Sequence, residues 1–115
     1  PSRSAVVFFA SRQAAKHFGG VAAGLPRLHQ AGHDLHLASV YFRLYRADPE
    51  TAASWITEDL LPRPERAGEK LPDAVLKDST GRIVRVIEFG GAYDARRVSK
   101  FHVFCAAHGY PYDLW

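Results

Sequence analysis

The chain has 115 residues, 47% hydrophobic and 23% charged, with 15 Lys and Arg against 12 Asp and Glu for a net charge of +3. That length fits one domain, and the balance is that of a chain with a core, not of a disordered or collagen-like one. No run approaches the roughly 18–20 apolar residues that span a bilayer, and the N-terminus has no charged-then-apolar leader.

A lone cysteine, Cys105, excludes an internal disulfide and fits a reducing, cytoplasmic setting. Methionine is absent, even at position 1. The sequence is therefore expected to be a processed chain or, preferably, a piece of a longer one.

Residues 4–9 contain the apolar run Ala5, Val6, Val7, Phe8 and Phe9, which predicts a buried strand. Ser11 is placed to cap a short helix through His17, with Gly19 and Gly20 ending it. Residues 19–33 hold four glycines and one proline and read as a loop. This loop divides a short N-terminal appendage, residues 1–24, from an α/β domain over residues 25–115.

Asp34 then suits the N-cap of a helix running to Arg46. Leu37, Val40, Tyr41 and Leu44 give that helix one apolar stripe, and Asp48-Pro49 ends it. Residues 54–57 are aromatic and β-branched and predict a strand. Residues 59–70 are a polar loop rich in Pro, Arg, Glu and Gly.

Residues 74–76 predict a short strand. Asp78, Ser79, Thr80 and Gly81 are turn residues. Residues 83–89 are apolar on both faces and predict a central strand, broken by Gly90 and Gly91. Asp94 caps a helix that turns Val98, Phe101 and Cys105 inward, with His102 at the margin of that face. Gly109 and Pro111 stop it, and residues 112–115 form a last strand. From Asp34 the order is helix, three strands, helix, strand. The expected architecture is α/β, with a mixed central sheet flanked by helices.

Pairing the strands around the 78–81 turn brings Asp73 and Glu88 to one end of the sheet. Two carboxylates meeting there suit Mg²⁺, which prefers oxygen ligands and retains waters. A bound Mg²⁺ activates a water and neutralises a phosphodiester. Cationic residues gather at Arg82 and Arg85 on one strand and at Arg96, Arg97 and Lys100 on one helix. Such a grouping permits a polyanionic partner. For any one of them a solvated face is the plainer reading.

His29, His33 and His36 have helical spacings and invite a zinc site. Gly32 and the lack of accompanying cysteines favour structural or solvent-facing roles instead. The alternative is that His36 points at the carboxylates. Tyr93, Tyr110 and Tyr112 could stack on bases, though core and boundary roles suit them better. Cys105 reads as packing.

The stretch Leu71-Pro72-Asp73-Ala74-Val75-Leu76, followed by Ile87-Glu88-Phe89-Gly90, resembles the PD-(D/E)XK signature of restriction-endonuclease-like proteins. Their core has the same αβββαβ order, and the likeness covers about 80 residues, from Asp34 to Trp115. The resemblance implies metal-ligand and catalytic roles for Asp73 and Glu88, and a third acid, for which Glu58 at the end of the Trp55-Ile56-Thr57 strand is the metal-ligand candidate, with Asp34 behind it. It also implies a lysine at position 90, where this chain has glycine. Lys100, Arg96 or Arg97 would then supply the missing charge.

A narrower set runs from His36-Leu37 through Trp55-Ile56-Thr57-Glu58 and Pro72-Asp73 to Glu88-Phe89-Gly90-Gly91. It resembles the C-terminal part of replication-relaxation proteins of plasmids and other mobile elements. In that case residues 1–24 would be the tail of a preceding DNA-binding region. The resemblance implies a DNA-binding domain with a nuclease-like fold and an altered active site. The alternatives are an active Mg²⁺-dependent DNA endonuclease and a non-catalytic homodimerisation module.

Overall fold

The structure, a computed structural model, describes residues 6–21, 27–65 and 69–115. Its contacts divide the chain into two units, Pro1–Ala31 and Gly32–Trp115. The elements are α1 (Arg12–His17), α2 (Leu28–Ala47), α3 (Pro49–Ala52), β1 (Trp55–Thr57), β2 (Ala74–Lys77), β3 (Ile83–Glu88), α4 (Ala95–His108) and β4 (Tyr112–Leu114). A 3₁₀ turn, Glu58–Leu60, follows β1. Among the described residues no helix is long and apolar enough to cross a membrane.

In the first unit, the Ser11 side chain accepts a bond from the Ala14 amide and starts α1 as expected. Gly19 follows it at φ +75°. The expected strand over 4–9 is corrected. Residues 4 and 5 lie outside the described residues, and 6–9 form no regular element, with Val6 and Phe8 exposed. An apolar run favours burial but does not supply the neighbouring strand that a ladder requires.

The expected loop over 19–33 is also corrected. Residues 22–26 lie outside the described residues, but α2 begins at Leu28 and runs through Gly32, so Asp34 is not an N-cap. A single helical glycine costs only about 1 kcal/mol. Leu28, Gln30 and Ala31 are good helix formers, and they carry the helix past it.

In Gly32–Trp115, α2 ends at Ala47. Asp48 does more than stop it: its carboxylate accepts from the Thr51 amide and caps α3, with Pro49 at the first helical position. The sheet order is β1-β2-β3-β4. The first two pairings are antiparallel and β3–β4 is parallel. Asp78 closes the β2–β3 turn by accepting from the Thr80 and Arg82 amides. Gly81 takes φ +83°, a value that favours glycine. A parallel neighbour needs a crossover, and α4 provides it.

Alternation along the strands sorts the core. Ala74 and Ile87 pack with Val40 of α2, joined by Leu37 and Trp55. Val75 and Val86 pack with Cys105 of α4, joined by Phe101 and Phe104. The sheet is thus a mixed four-stranded layer with one helix against each face.

Asp94 caps α4 through the Arg97 amide, and Gly109 ends it at φ +67°. The inward face of α4 is Phe101, Phe104 and Cys105 rather than the expected Val98 and His102, both of which are exposed. His102 instead meets the Tyr112 hydroxyl at 3.0 Å. Cys105 is fully buried, and that burial pushes its thiol pKa up, with the Glu88 charge adding to the effect.

Candidate acidic site at the sheet end

The register sets the acids. Ala74 faces Ile87 and Thr57 faces Ala74. One step further along, Asp73 lies between Glu58 and Glu88. The Glu58 amide donates to the Asp73 carbonyl at 3.0 Å, extending the β1–β2 ladder. Three acids thus lie in one row across three strands.

Asp73 and Glu88 are 3% and 1% exposed, the only charged side chains among the buried ones described. Burial without partners would be costly, and both are bonded. The Glu88 Oε2 accepts from the Asp73 amide at 3.2 Å, and the Asp73 Oδ2 accepts from the Phe89 amide at 2.7 Å. Each acid therefore grips the backbone beside the other.

Lys70 places its Nζ 2.5 Å from the Glu88 Oε1. The Tyr93 hydroxyl donates to the same oxygen, and Lys70 donates to Tyr93. Burial alone would depress the lysine. Its bonds to Glu88 and Tyr93 and the charges of Glu88 and Asp73 outweigh that and raise its pKa. Partial desolvation and the charge of Asp73 raise the Glu58 pKa, while Lys70 opposes them.

On the other side, the His33 Nε2 lies 3.2 Å from the Asp73 Oδ2, and its Nδ1 lies 3.3 Å from Asp34. Burial lowers this imidazole, but Asp73 and Asp34 more than reverse the effect. His36, the expected histidine, does not take this role. Its Nδ1 donates to the Gly32 carbonyl, 2.7 Å away, and its ring stacks on Phe89 at 4.7 Å between centroids.

The basic residue on Glu88 is thus Lys70, not Lys100, Arg96 or Arg97. Gly90 explains why a lysine does not stand at the expected place. A Cβ built on Gly90 would meet the Leu114 Cδ1 at 2.9 Å and the Tyr93 Cδ2 at 3.5 Å. Gly90 is also tied through its amide to the Trp115 carbonyl at 2.8 Å. The clashing atom ends a leucine side chain that can turn aside, so Gly90→Lys is expected to destabilise the unit by about 1 kcal/mol, the low end for overpacking, as chemical denaturation would measure. A variant as stable as the parent would contradict this close packing.

A cavity of about 620 Å³ opens beside Glu88. Lys70, Arg97 and Lys100 line it with Tyr93, Phe101 and Phe104. Arg82 and Arg85 lie elsewhere. Arg82 stands six residues from Glu88, about 20 Å along an extended chain, and Arg85 pairs with Asp113 at 3.4 Å. Arg96 is exposed on α4 and is not among the residues lining the cavity.

The donor types fit Mg²⁺ better than zinc: hard carboxylate oxygens with room for water. Among the described residues, however, no group of three or more His, Cys, Asp or Glu is arranged to hold a metal. Three of the four oxygens of Asp73 and Glu88 already accept from Lys70, Tyr93, His33 or backbone amides. A divalent ion would have to displace Lys70 from Glu88. No family model, curated protein or solved structure matches this chain.

Proposed function

We propose that Gly32–Trp115 is a DNA-binding domain with a restriction-endonuclease-like αβββαβ architecture and an altered acidic centre. It would serve a replication, relaxation or mobilisation protein of a plasmid or similar element. The observation that carries this reading is the in-register pairing of buried Asp73 and Glu88 beside a cavity edged by Lys70, Arg97 and Lys100. The acids give the nuclease-like centre, and the cations give a path for phosphates.

Anisotropy titration of labelled DNA tests it. If those three cations meet phosphates, counterion release predicts an affinity loss of roughly 40-fold on B-DNA between 50 and 200 mM salt. Absence of binding even at low salt would sink the proposal, and a stable dimer seen with it would favour the homodimerisation module.

One contact favours a second reading, a Mg²⁺-dependent endonuclease: Lys70 reaches Glu88 from the segment ahead of β2. There it supplies the cation that Gly90 cannot. Bound Mg²⁺ would be held by Asp73 and Glu88, with Glu58 alongside, and would activate a water and neutralise the phosphate. Lys70 would hold the phosphate against the acids, and the aromatic walls would limit solvent access. Supercoiled plasmid nicked in Mg²⁺ or Mn²⁺ by the parent, but not by Asp73→Ala or Glu88→Ala, is the result that supports it. No nicking with any divalent ion leaves the binding role.

A further inference from the structure

The cavity beside Glu88 combines two kinds of wall. Lys70, Arg97 and Lys100 supply positive charge. Leu71, Phe101 and Phe104 supply apolar and aromatic surface. Two of the cations also sit near the Tyr93 ring, Lys70 at 5.2 Å and Arg97 at 5.8 Å from its centroid. A ligand that fits both walls carries a phosphate and a flat apolar ring. The volume, about 620 Å³, falls within the roughly 300–1,000 Å³ typical of small-molecule sites. It stands half open to solvent.

A base within a duplex is stacked and paired, and it reaches such a cavity only by leaving the stack. An unpaired base enters without that cost. Phosphate charge alone would favour any nucleic acid, but aromatic walls reward an exposed base face. Phe101 is braced by Tyr112 at 5.1 Å between centroids, and Phe104 by His108 at 4.5 Å. Little ordering of these rings is left for a ligand to bring about.

We propose that this cavity binds an unpaired nucleotide of a single strand, its phosphate at Lys70, Arg97 and Lys100 and its base on the Phe101–Phe104 wall. The proposal rests on the nucleic-acid-binding reading above and narrows it to strandedness. It predicts that single-stranded ends, gaps or flipped nucleotides are preferred to intact duplex.

The test uses the full chain and fluorescence anisotropy at low salt. The probes are a labelled oligothymidylate of about 12 nucleotides, a common single-strand site size, and a duplex of equal length. The single strand is expected to bind about 10-fold or more tightly than the duplex. Phe104→Leu keeps much of the volume but removes the ring. It should weaken single-strand binding about 10-fold and duplex binding by much less. Lys100→Ala, at an exposed position, should weaken both.

Equal or tighter duplex binding by the parent protein overturns the inference while leaving DNA binding in place. Binding of neither probe overturns both readings. The parent's strand preference decides the matter even if Phe104→Leu fails to fold, which circular dichroism would reveal.

Discussion

Lys70→Ala is expected to cost about 3 kcal/mol of stability, the low end of the range for stripping the partner from a buried charge. Glu88 is 1% exposed, whereas Lys70 is 59% exposed at its side chain. Removing the lysine leaves the carboxylate inside with only the Tyr93 hydroxyl and the Asp73 amide. Those two bonds keep the cost from the top of the range. For a unit of this size the loss should lower the melting temperature by roughly 12 °C or more.

The same variant removes the cation that competes with a divalent ion, leaving the Glu88 Oε1 with the Tyr93 hydroxyl alone. Added Mg²⁺ or Mn²⁺ should therefore stabilise Lys70→Ala more than the parent, by about 2.7 kcal/mol at a hundredfold excess over the dissociation constant. Thermal melts with and without the ion measure both effects. A variant as stable as the parent would show that the Lys70–Glu88 contact contributes nothing. A destabilised variant indifferent to divalent ions would remove the acids as a metal site.

Changing the other partner has a different outcome. Glu88→Gln keeps the side-chain shape, still accepts from the Asp73 amide and leaves nothing charged inside. The lysine it releases already reaches water. Its cost is expected to stay near 1 kcal/mol, the net worth of an ordinary hydrogen bond.

Glu88→Ala also orphans the Asp73 amide and opens a void, so roughly 2–4 kcal/mol is expected. Lys70→Ala combined with Glu88→Gln should then be more stable than Lys70→Ala alone, because the glutamine removes the stranded charge. Denaturant titration of the four proteins forms a double-mutant cycle. Additive losses would mean that the two residues do not share this interaction.

The acidic pair was legible because a hairpin turn sends its two arms to one end of the sheet. Asp78 and Gly81 mark where the chain reverses, and a register shift between Leu76 and Lys77, which no residue pattern announces, brings Asp73 level with Glu88. Glu58 was legible as the acid ending the 54–57 strand, and the β1–β2 register puts it beside Asp73. Lys70 was not legible. It sits in a polar segment with no period, and reaching Glu88 depends on a loop path that pattern does not specify. Its only signal was standing three residues ahead of Asp73.

The histidine was misplaced for a related reason. Starting the helix at Asp34 instead of Leu28 left His33 in a loop and made His36 the nearer candidate. On α4, Phe104 was passed over for Val98, a residue of similar character rotated out of the buried stripe. The run at 6–9 had the right composition for a strand but pairs with none among the described residues.

The backbone on either side of Glu88 is clamped from two directions. β4 supplies one clamp, through the Trp115 amide to the Glu88 carbonyl and the Gly90 amide to the Trp115 carbonyl. Asp73 supplies the other, through the Phe89 amide. The carboxylate is preorganised, since folding has already met the entropy cost of fixing it. An incoming ion or phosphate would have to exchange partners there, not build a site, so occupancy should follow how readily one lysine lets go.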